Sequence, residues 1–281
     1  MIPVQELWSG FPGEISVILR GYIDESYDGK EFPPRMFGLT CTFAHTAEWP
    51  WIEMAWQKCL DEKNASLRKQ GRKEIRRYHS KDINNYQEDF EGWNGEERKD
   101  FCEKLIRVFW RHICGYEGYL INLQELVEVW PETGPDPLDF AYHNLLKFLM
   151  IEIGKNMNKI LPGHKMNLFH ERCAYNGVLL KAFDELVNDP TFSYRNCFTT
   201  IAPLGWEDCI PLQPADLLAY ENFKEGLRQV QPRDRRIIMS EILLIEDFVA
   251  HAKIVDRATM IKLRDRWRAS QLESDHDNEK S

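Results

Sequence analysis

The stretch from Ile15 to Ser26, Ile-Ser-Val-Ile-Leu-Arg-Gly-Tyr-Ile-Asp-Glu-Ser, constrains the fold of this chain more than any other part of it. It is apolar at nearly every position and of strand length, which is typical of a central strand covered on both faces. Alternation directs Ile23 to one layer and Tyr22 and Asp24 to the other. The strand then stops on two carboxylates, Asp24 and Glu25. Open α/β sheets place their sites at such strand ends, although two acids can also simply begin a polar loop.

Composition limits the class of protein. The chain has 281 residues, 43% of them hydrophobic, enough to bury the core of one large domain or two small ones. Its formal net charge of −9 does not indicate a general nucleic-acid binder, so any such partner must be held by a local patch.

Cysteine usage and hydropathy bear on the compartment. The seven cysteines are an odd number, are widely scattered and include no Cys-x-x-Cys pair, which argues against a disulfide framework or a zinc ribbon and favours a reducing compartment. There is no signal-peptide pattern and no apolar run of membrane-spanning length. We therefore expect a cytoplasmic protein with no membrane partner.

Strands and helices alternate along the chain. After an arm at 1–13 and the first strand, we predict strands at 36–46, 75–78, 116–126, 165–171 and 198–204, with helices at 50–70, 95–113, 136–160, 176–188, 214–228 and 237–268. The last helix is expected to break near Val255-Asp256. An opening hairpin followed by this alternation predicts a mixed β-sheet with helices on both faces. We expect a single domain over residues 1–270, with extra C-terminal helices, and a polar, disordered tail at 271–281.

A second notable stretch is the predicted helix that begins at Pro214. Helical spacing puts Asp216 on the same face as Leu212 and Phe223. A carboxylate on an apolar face needs a partner, a raised pKa or a metal, and Gln213 is placed one turn back to orient it. The alternative is that Asp216 lies in the first turn and only caps the helix.

A basic run precedes the middle of the chain. Such a run is usually a solvated face, but on an acidic protein it is also the best local candidate for contacts with phosphate. Its cations are Arg68, Lys69, Arg72, Lys73, Arg76 and Arg77.

Two motifs carry a family resemblance. Tyr22-Ile23-Asp24-Glu25-Ser26, paired with Leu212-Gln213-x-Ala215-Asp216-Leu217-Leu218-Ala219, resembles the family catalogued as domain of unknown function 3800. The resemblance spans about residues 15–220, and its middle matches in outline at His79 and at Glu171. It implies a ribonuclease H-like fold with the acidic site of a metal-dependent nuclease. The chain departs from the family pattern at Tyr27, where glycine is common, and at Glu171, where aspartate is common.

The resemblance also implies roles for the acidic residues. Asp24, Glu171 and Asp216 would hold Mg²⁺ or Mn²⁺, as phosphodiester cleavage with two metal ions requires carboxylates from several elements. Glu25 would point to the opposite side of an extended strand and would join the site only at a turn or bulge. His79 would shuttle a proton or contact phosphate, unless its role is structural.

Three functions remain open from the sequence. The leading hypothesis is a divalent-metal-dependent nuclease, with substrate contacts from Arg72, Lys73, Arg76, Arg77 and Gln213. The first alternative is a catalytically inactive nucleic-acid- or protein-binding module of the same fold. The second is a structural core whose acids are coincidental caps and lie far apart.

Overall fold

A computed structural model describes residues 18–28, 34–133, 136–207, 209–230 and 249–278. Its strands are β1 (Ile18–Tyr27), β2 (Met36–His45), β3 (Gly115–Asn122), β4 (Lys165–Glu171), β5 (Phe198–Leu204) and β6 (Val249–Val255). Its α-helices are α1 (Trp49–Lys69), α2 (Ser80–Asn85), α3 (Gly95–Phe109), α4 (Leu123–Val129), α5 (Pro137–Ile160), α6 (Asn176–Asn188), α7 (Leu212–Val230) and α8 (Arg257–Asn278), with short 3₁₀ turns at Glu88–Phe90, Pro131–Thr133 and Arg195–Cys197. The predicted arm at 1–13 lies outside the described residues.

The strands form one mixed sheet in the order β5-β4-β1-β2-β3-β6. The chain opens as an antiparallel meander of β1, β2 and β3, and β4 then pairs in parallel with β1 on its other side. β5 adds in parallel to β4, and β6 in parallel to β3. The first strand is therefore central, as predicted, with a neighbour on each side. This strand order, with helices on both faces, confirms the predicted α/β class with a mixed sheet.

Each face of the sheet has its own core. Leu19 and Ile23 of β1 pack in a cluster with α5 and α6, whereas Tyr22 faces α1, α3 and the start of α7. This is the alternation predicted for the first strand. Asp24 has the parity of Tyr22, so it leaves the strand on the α7 side.

The predicted strand at 75–78 does not form. The side chain of Asn64 in α1 takes the place of a neighbouring strand: its Oδ1 accepts a hydrogen bond from the N–H of Ile75 at 2.7 Å, and its Nδ2 donates one to the carbonyl of Ile75 at 2.9 Å. Ile75 and Tyr78 are nevertheless buried. An extended segment can thus satisfy its backbone from a side chain and look like a strand in sequence.

The predicted strand at 116–126 is too long. Asn122 ends it, because its side-chain oxygen accepts the N–H groups of Gln124 and Glu125 at 3.1 Å and caps the new helix α4. Asparagine at such a position favours a helix start over a continued strand.

The predicted helix at 237–268 is wrong over residues 249–255, and its part at 237–248 lies outside the described residues. Residues 249–255 form β6, whose backbone pairs with β3 from Gly115 to Ile121. The predicted break near Val255-Asp256 is present, since Asp256 accepts the N–H of Thr259 at 2.8 Å and begins α8. That helix runs to Asn278 and so includes most of the segment for which we predicted disorder. Within the described part of the chain, no helix is long and apolar enough to cross a membrane.

Candidate active site

A cavity of about 550 Å³ lies where β1, β4, α2 and the start of α7 meet. The predicted catalytic residues all line it: Asp24 and Glu25 from β1, His79 from the segment before α2, Glu171 from β4 and Asp216 from α7. Its other lining residues are Ser26, Tyr27, Asp28, Ser80, Lys81, Asn85, Gln87, Tyr220 and Lys224. We call this feature the acidic cavity. The alternative in which these acids lie far apart does not describe the structure.

Asp24 is held at the buried end of the cavity, with 6% of its surface exposed. Its pKa is raised well above the usual range, first by burial and then by the negative charges of Asp216, Glu25 and Glu171. A carboxylate surrounded by carboxylates in a partly dry site cannot ionise cheaply. The site therefore favours either a proton or a cation at this point.

Asp216 is not a cap of its own helix. The helix begins at Leu212, two residues earlier than predicted, so Asp216 lies beyond the first turn. Its Oδ2 instead accepts a hydrogen bond from the backbone N–H of Ser80 at 2.6 Å, and its carbonyl accepts one from Ser80 Oγ at 3.2 Å. Burial raises the pKa of Asp216 to about 6, against the opposing effects of His79 and of the Ser80 hydrogen bonds.

Glu25 leaves β1 on the opposite face from Asp24. The strand stays paired with β2 as far as Tyr27, so there is no bulge to turn the side chain over. Burial and the charge of Glu171 raise the pKa of Glu25 to about 7, and a hydrogen bond with Tyr142 of α5 opposes that shift. Glu25 nevertheless lines the cavity, and it lies beyond Ile23, the last residue of β1 that pairs with β4.

Glu171 lies beside Asp24 because β4 runs parallel to β1, with Ile23 in register with His170. Glu171 has a cation near it, since Arg77 Nη1 is 4.0 Å from its Oε1. The Arg77 guanidinium also lies over the ring of Trp206, 3.9 Å from its centroid. Arg77, which was predicted to contact substrate, is therefore engaged by Glu171 and Trp206 and is not among the residues that line the acidic cavity.

His79 is oriented by a neighbour that the sequence analysis missed. Its Nδ1 lies 2.7 Å from Asp82 Oδ2, three residues further along the chain. When Nδ1 carries the proton and donates it to Asp82, Nε2 is the acceptor. The segment before His79 is held in place by Gln213, whose side-chain oxygen accepts from the N–H of Tyr78 at 2.8 Å and from Trp56 Nε1 at 3.0 Å. The predicted role of Gln213, orienting Asp216, is not the one these bonds describe.

Further cations of the basic run are engaged in ion pairs. Arg72 lies 2.8 Å from Glu97, and Lys73 and Arg76 each lie 3.0 Å from the buried carboxylate of Asp89. The run thus folds onto acids of the same chain. None of its residues is among those that line the acidic cavity.

Periodicity along α7 is the signal that could have found more of the site. Tyr220 and Lys224 follow Asp216 at intervals of four residues, and all three line the cavity. Residues four apart on a helix share a face. Lys81 and Asp82 carried no comparable signal, because they lie in a segment whose path the sequence did not predict.

The donor chemistry of the cavity fits Mg²⁺ or Mn²⁺, which prefer oxygen ligands. In the described part of the chain, no three His, Cys, Asp or Glu side chains are grouped so as to hold a metal ion as they stand. Mg²⁺ does not require such a cage, since it is usually held by one or two carboxylates together with water and substrate phosphate. Asp24 and Asp216 supply that minimum.

Comparisons with known proteins assign neither a family nor a function to this chain. No family model matches the chain, and no curated protein matches it. A solved structure, the crystal structure of Bst-RNase HIII in complex with Mn2+, is similar with a TM-score of 0.39 and 13% sequence identity. The match covers 83% of this chain and 64% of that protein, so the chain spans less than two thirds of its length. Similarity at this level carries no functional assignment.

Proposed function

We propose that this chain is a divalent-metal-dependent phosphodiesterase that acts on nucleic acid, and that it is related to the family catalogued as domain of unknown function 3800. The observation that carries the proposal is the meeting of Asp24, Glu171 and Asp216, from three separate elements, in one cavity with His79. Their mutual repulsion leaves a concentration of negative charge that a divalent cation would offset.

Each side chain has a distinct task in this proposal. Asp24 and Asp216 would hold the metal, with Glu171 contributing when it releases Arg77. A bound Mg²⁺ or Mn²⁺ would supply Lewis-acid stabilisation of the phosphate oxygens and a more acidic water. His79, held through Nδ1 by Asp82, has Nε2 available to take a proton from the attacking water or to return one to the leaving oxygen.

The test combines metal binding with cleavage. Isothermal titration of the chain with Mn²⁺ is expected to show binding that Asp24→Asn and Asp216→Asn each abolish. Both variants should also fail to cleave labelled oligonucleotides in Mg²⁺ or Mn²⁺. The matched control is Asp61→Asn, an exposed aspartate of α1 whose partner is Gln57. Retention of Mn²⁺ binding and cleavage by both site variants would refute the assignment.

One observation favours a second candidate, a module that binds without cleaving. Glu171 lies near the positive charge of Arg77, which offsets part of its negative charge and weakens its attraction for a metal ion. If the second candidate is correct, the chain binds nucleic acid but not Mn²⁺. Arg77→Gln then separates the two candidates, because freeing Glu171 would increase metal affinity only in the enzyme.

A further inference from the structure

The mouth of the acidic cavity carries side chains that a metal site does not need. Lys81 and Lys224 line it, and so do Tyr27 and Tyr220. Tyr27 has 51% of its surface exposed although it is a large aromatic residue at the end of the central strand. The Lys224 ammonium lies 4.9 Å from the centroid of the Tyr220 ring. Cations and aromatic faces therefore share one rim.

We propose that this rim binds single-stranded nucleic acid, with Lys81 and Lys224 contacting backbone phosphates and Tyr27 stacking on a base. The inference rests on the proposed function in one respect: the bound nucleic-acid strand is expected to lead into the acidic cavity. Proteins that bind single strands combine a positively charged path for the backbone with aromatic side chains for the bases. The rim offers both within one cavity.

The charge distribution favours a single strand over a duplex. Duplex binding draws on many phosphate contacts spread along a face. The basic run is the obvious source of such a face, but Arg72, Lys73 and Arg76 are paired with Glu97 and Asp89. Lys81 and Lys224 line a concave cavity of about 550 Å³, whose shape suits one strand better than a duplex.

The position of Tyr27 adds a geometric argument. An exposed ring can stack only on a base whose face is open, and bases inside a duplex are covered by their neighbours. Tyr27 follows Glu25 by two residues, so a base stacked on it would bring its own phosphates next to the carboxylates. Because five of the lining residues are acidic, the lysines also offset the repulsion that an incoming phosphate meets.

The experiment is fluorescence anisotropy with the full chain in EDTA at low salt, so that binding is measured apart from metal chemistry. The probe is a labelled single strand of about 12 nucleotides, within the usual range of single-strand site sizes. A duplex of the same sequence serves as competitor. The wild type is expected to bind the single strand more tightly than the duplex.

The variants separate phosphate contacts from stacking. Lys81→Ala and Lys224→Ala should each weaken binding and reduce the slope of log K against log salt by about 0.7. Tyr27→Ala should weaken binding about tenfold without changing that slope, and Tyr27→Phe should restore it. The controls are Lys58→Ala and Trp51→Ala on α1, where the lysine side chain is 77% and the tryptophan 59% exposed.

The outcomes distinguish this inference from the proposed function. The inference is overturned if the wild type does not bind the single strand or binds the duplex more tightly. It is also overturned if the control variants on α1 lose as much affinity as the rim variants. Metal-dependent cleavage together with unchanged binding by the rim variants overturns it too, while the proposed function stands. If the expected binding pattern is found but the chain neither binds Mn²⁺ nor cleaves, single-strand binding at the rim is supported and the proposed enzyme is refuted.

Discussion

The backbone N–H of Ser80 donates a hydrogen bond of 2.6 Å to Asp216 Oδ2, although the two residues are 136 positions apart. Ser80 Oγ also donates to the carbonyl of Asp216. The segment that carries His79 and the helix that carries Asp216 are thereby fixed to each other at both side chain and backbone. A change in either element will therefore displace both of the groups that line this side of the acidic cavity.

Metal-free Asp24→Asn should be more stable than the wild type at neutral pH. The pKa of Asp24 is raised well above 3.8 in the folded protein, so stability falls as the pH rises from that ordinary value towards the folded pKa, because the unfolded chain releases this proton first. Asparagine removes this effect, so the variant should have the larger free energy of unfolding. Urea unfolding in EDTA measures it. Adding Mg²⁺ should then stabilise the wild type and leave the variant unchanged.

Two results would count against that expectation. Equal stabilisation of both proteins by Mg²⁺ would place the ion elsewhere. A variant less stable than the wild type in EDTA would mean that the Asp24 carboxylate is satisfied by its surroundings and does not strain them. Asp61→Asn, on the surface of α1, provides the baseline for both measurements.

Glu117 should make stability depend on pH. It is fully buried in β3, where Asn156 Nδ2 donates to its Oε1 at 2.8 Å, and burial raises its pKa from 4.5 to about 7. The folded state holds this proton more tightly than the unfolded state, so stability falls as pH rises from 4.5 to about 7. Glu117→Gln should match the wild type near the lower pH and exceed it by about 2 to 3 kcal/mol at about pH 8.

Urea midpoints at the two pH values test this expectation, with the exposed residue Glu91 changed to Gln as control. Parallel curves for wild type and Glu117→Gln would show that the Glu117 carboxylate ionises in the folded state at no cost.

Gly118→Ala should disrupt the contact between β3 and α7. A Cβ at this position would lie 1.8 Å from Asn222 Nδ2, which donates to Thr40 Oγ1 at 3.0 Å. We expect a loss of about 1 to 3 kcal/mol or more. Asn222→Ala removes the obstacle, so the double variant should be less destabilised than the sum of the single ones, by denaturant unfolding. Gly177→Ala, with nothing within 4 Å of the new Cβ, is the matched control. Additive effects would show that the helix moves aside freely.

Removing charge from the basic run should affect stability more than binding. Arg76→Ala removes the guanidinium that pairs with the buried Asp89. Only Lys73 and the backbone N–H of residue 76 then remain as its partners among these contacts. We expect a loss of about 1 to 3 kcal/mol in unfolding free energy. Oligonucleotide affinity and its salt slope should not change. If the variant has native stability but a smaller salt dependence of oligonucleotide binding, the basic run contacts phosphate after all.

Much of the fold was predictable because its signals are local. The strand at Lys165–Glu171 and the helix at Asn176–Asn188 have the predicted bounds. The failures have a non-local cause: Asn64 satisfies the backbone of Ile75 from another element, and β3 recruits residues 249–255 into the sheet. Neither partner can be read from the segment itself.

The same distinction holds for the acidic cavity. Asp24, Glu171 and Asp216 were found because each ends a strand or lies on the apolar face of a helix. The pairing of Arg77 with Glu171, and of Lys73 with Asp89, was not predictable, since ion pairs between distant surface segments leave no periodic pattern. The basic run therefore suggested a phosphate-binding surface, whereas in the folded chain its side chains pair with acidic residues of the same chain.

Because β1 lies between β2 and β4, the parts of the acidic cavity are synthesised at widely separated times. The hairpin partner of β1 follows it at once, but Glu171 and Asp216 emerge from the ribosome far later. A nascent chain can complete the local β1–β2 pairing while its acidic residues are still apart, because contacts of large sequence separation form at a greater entropic cost. The acidic cavity is thus incomplete in translation intermediates that stop short of α7.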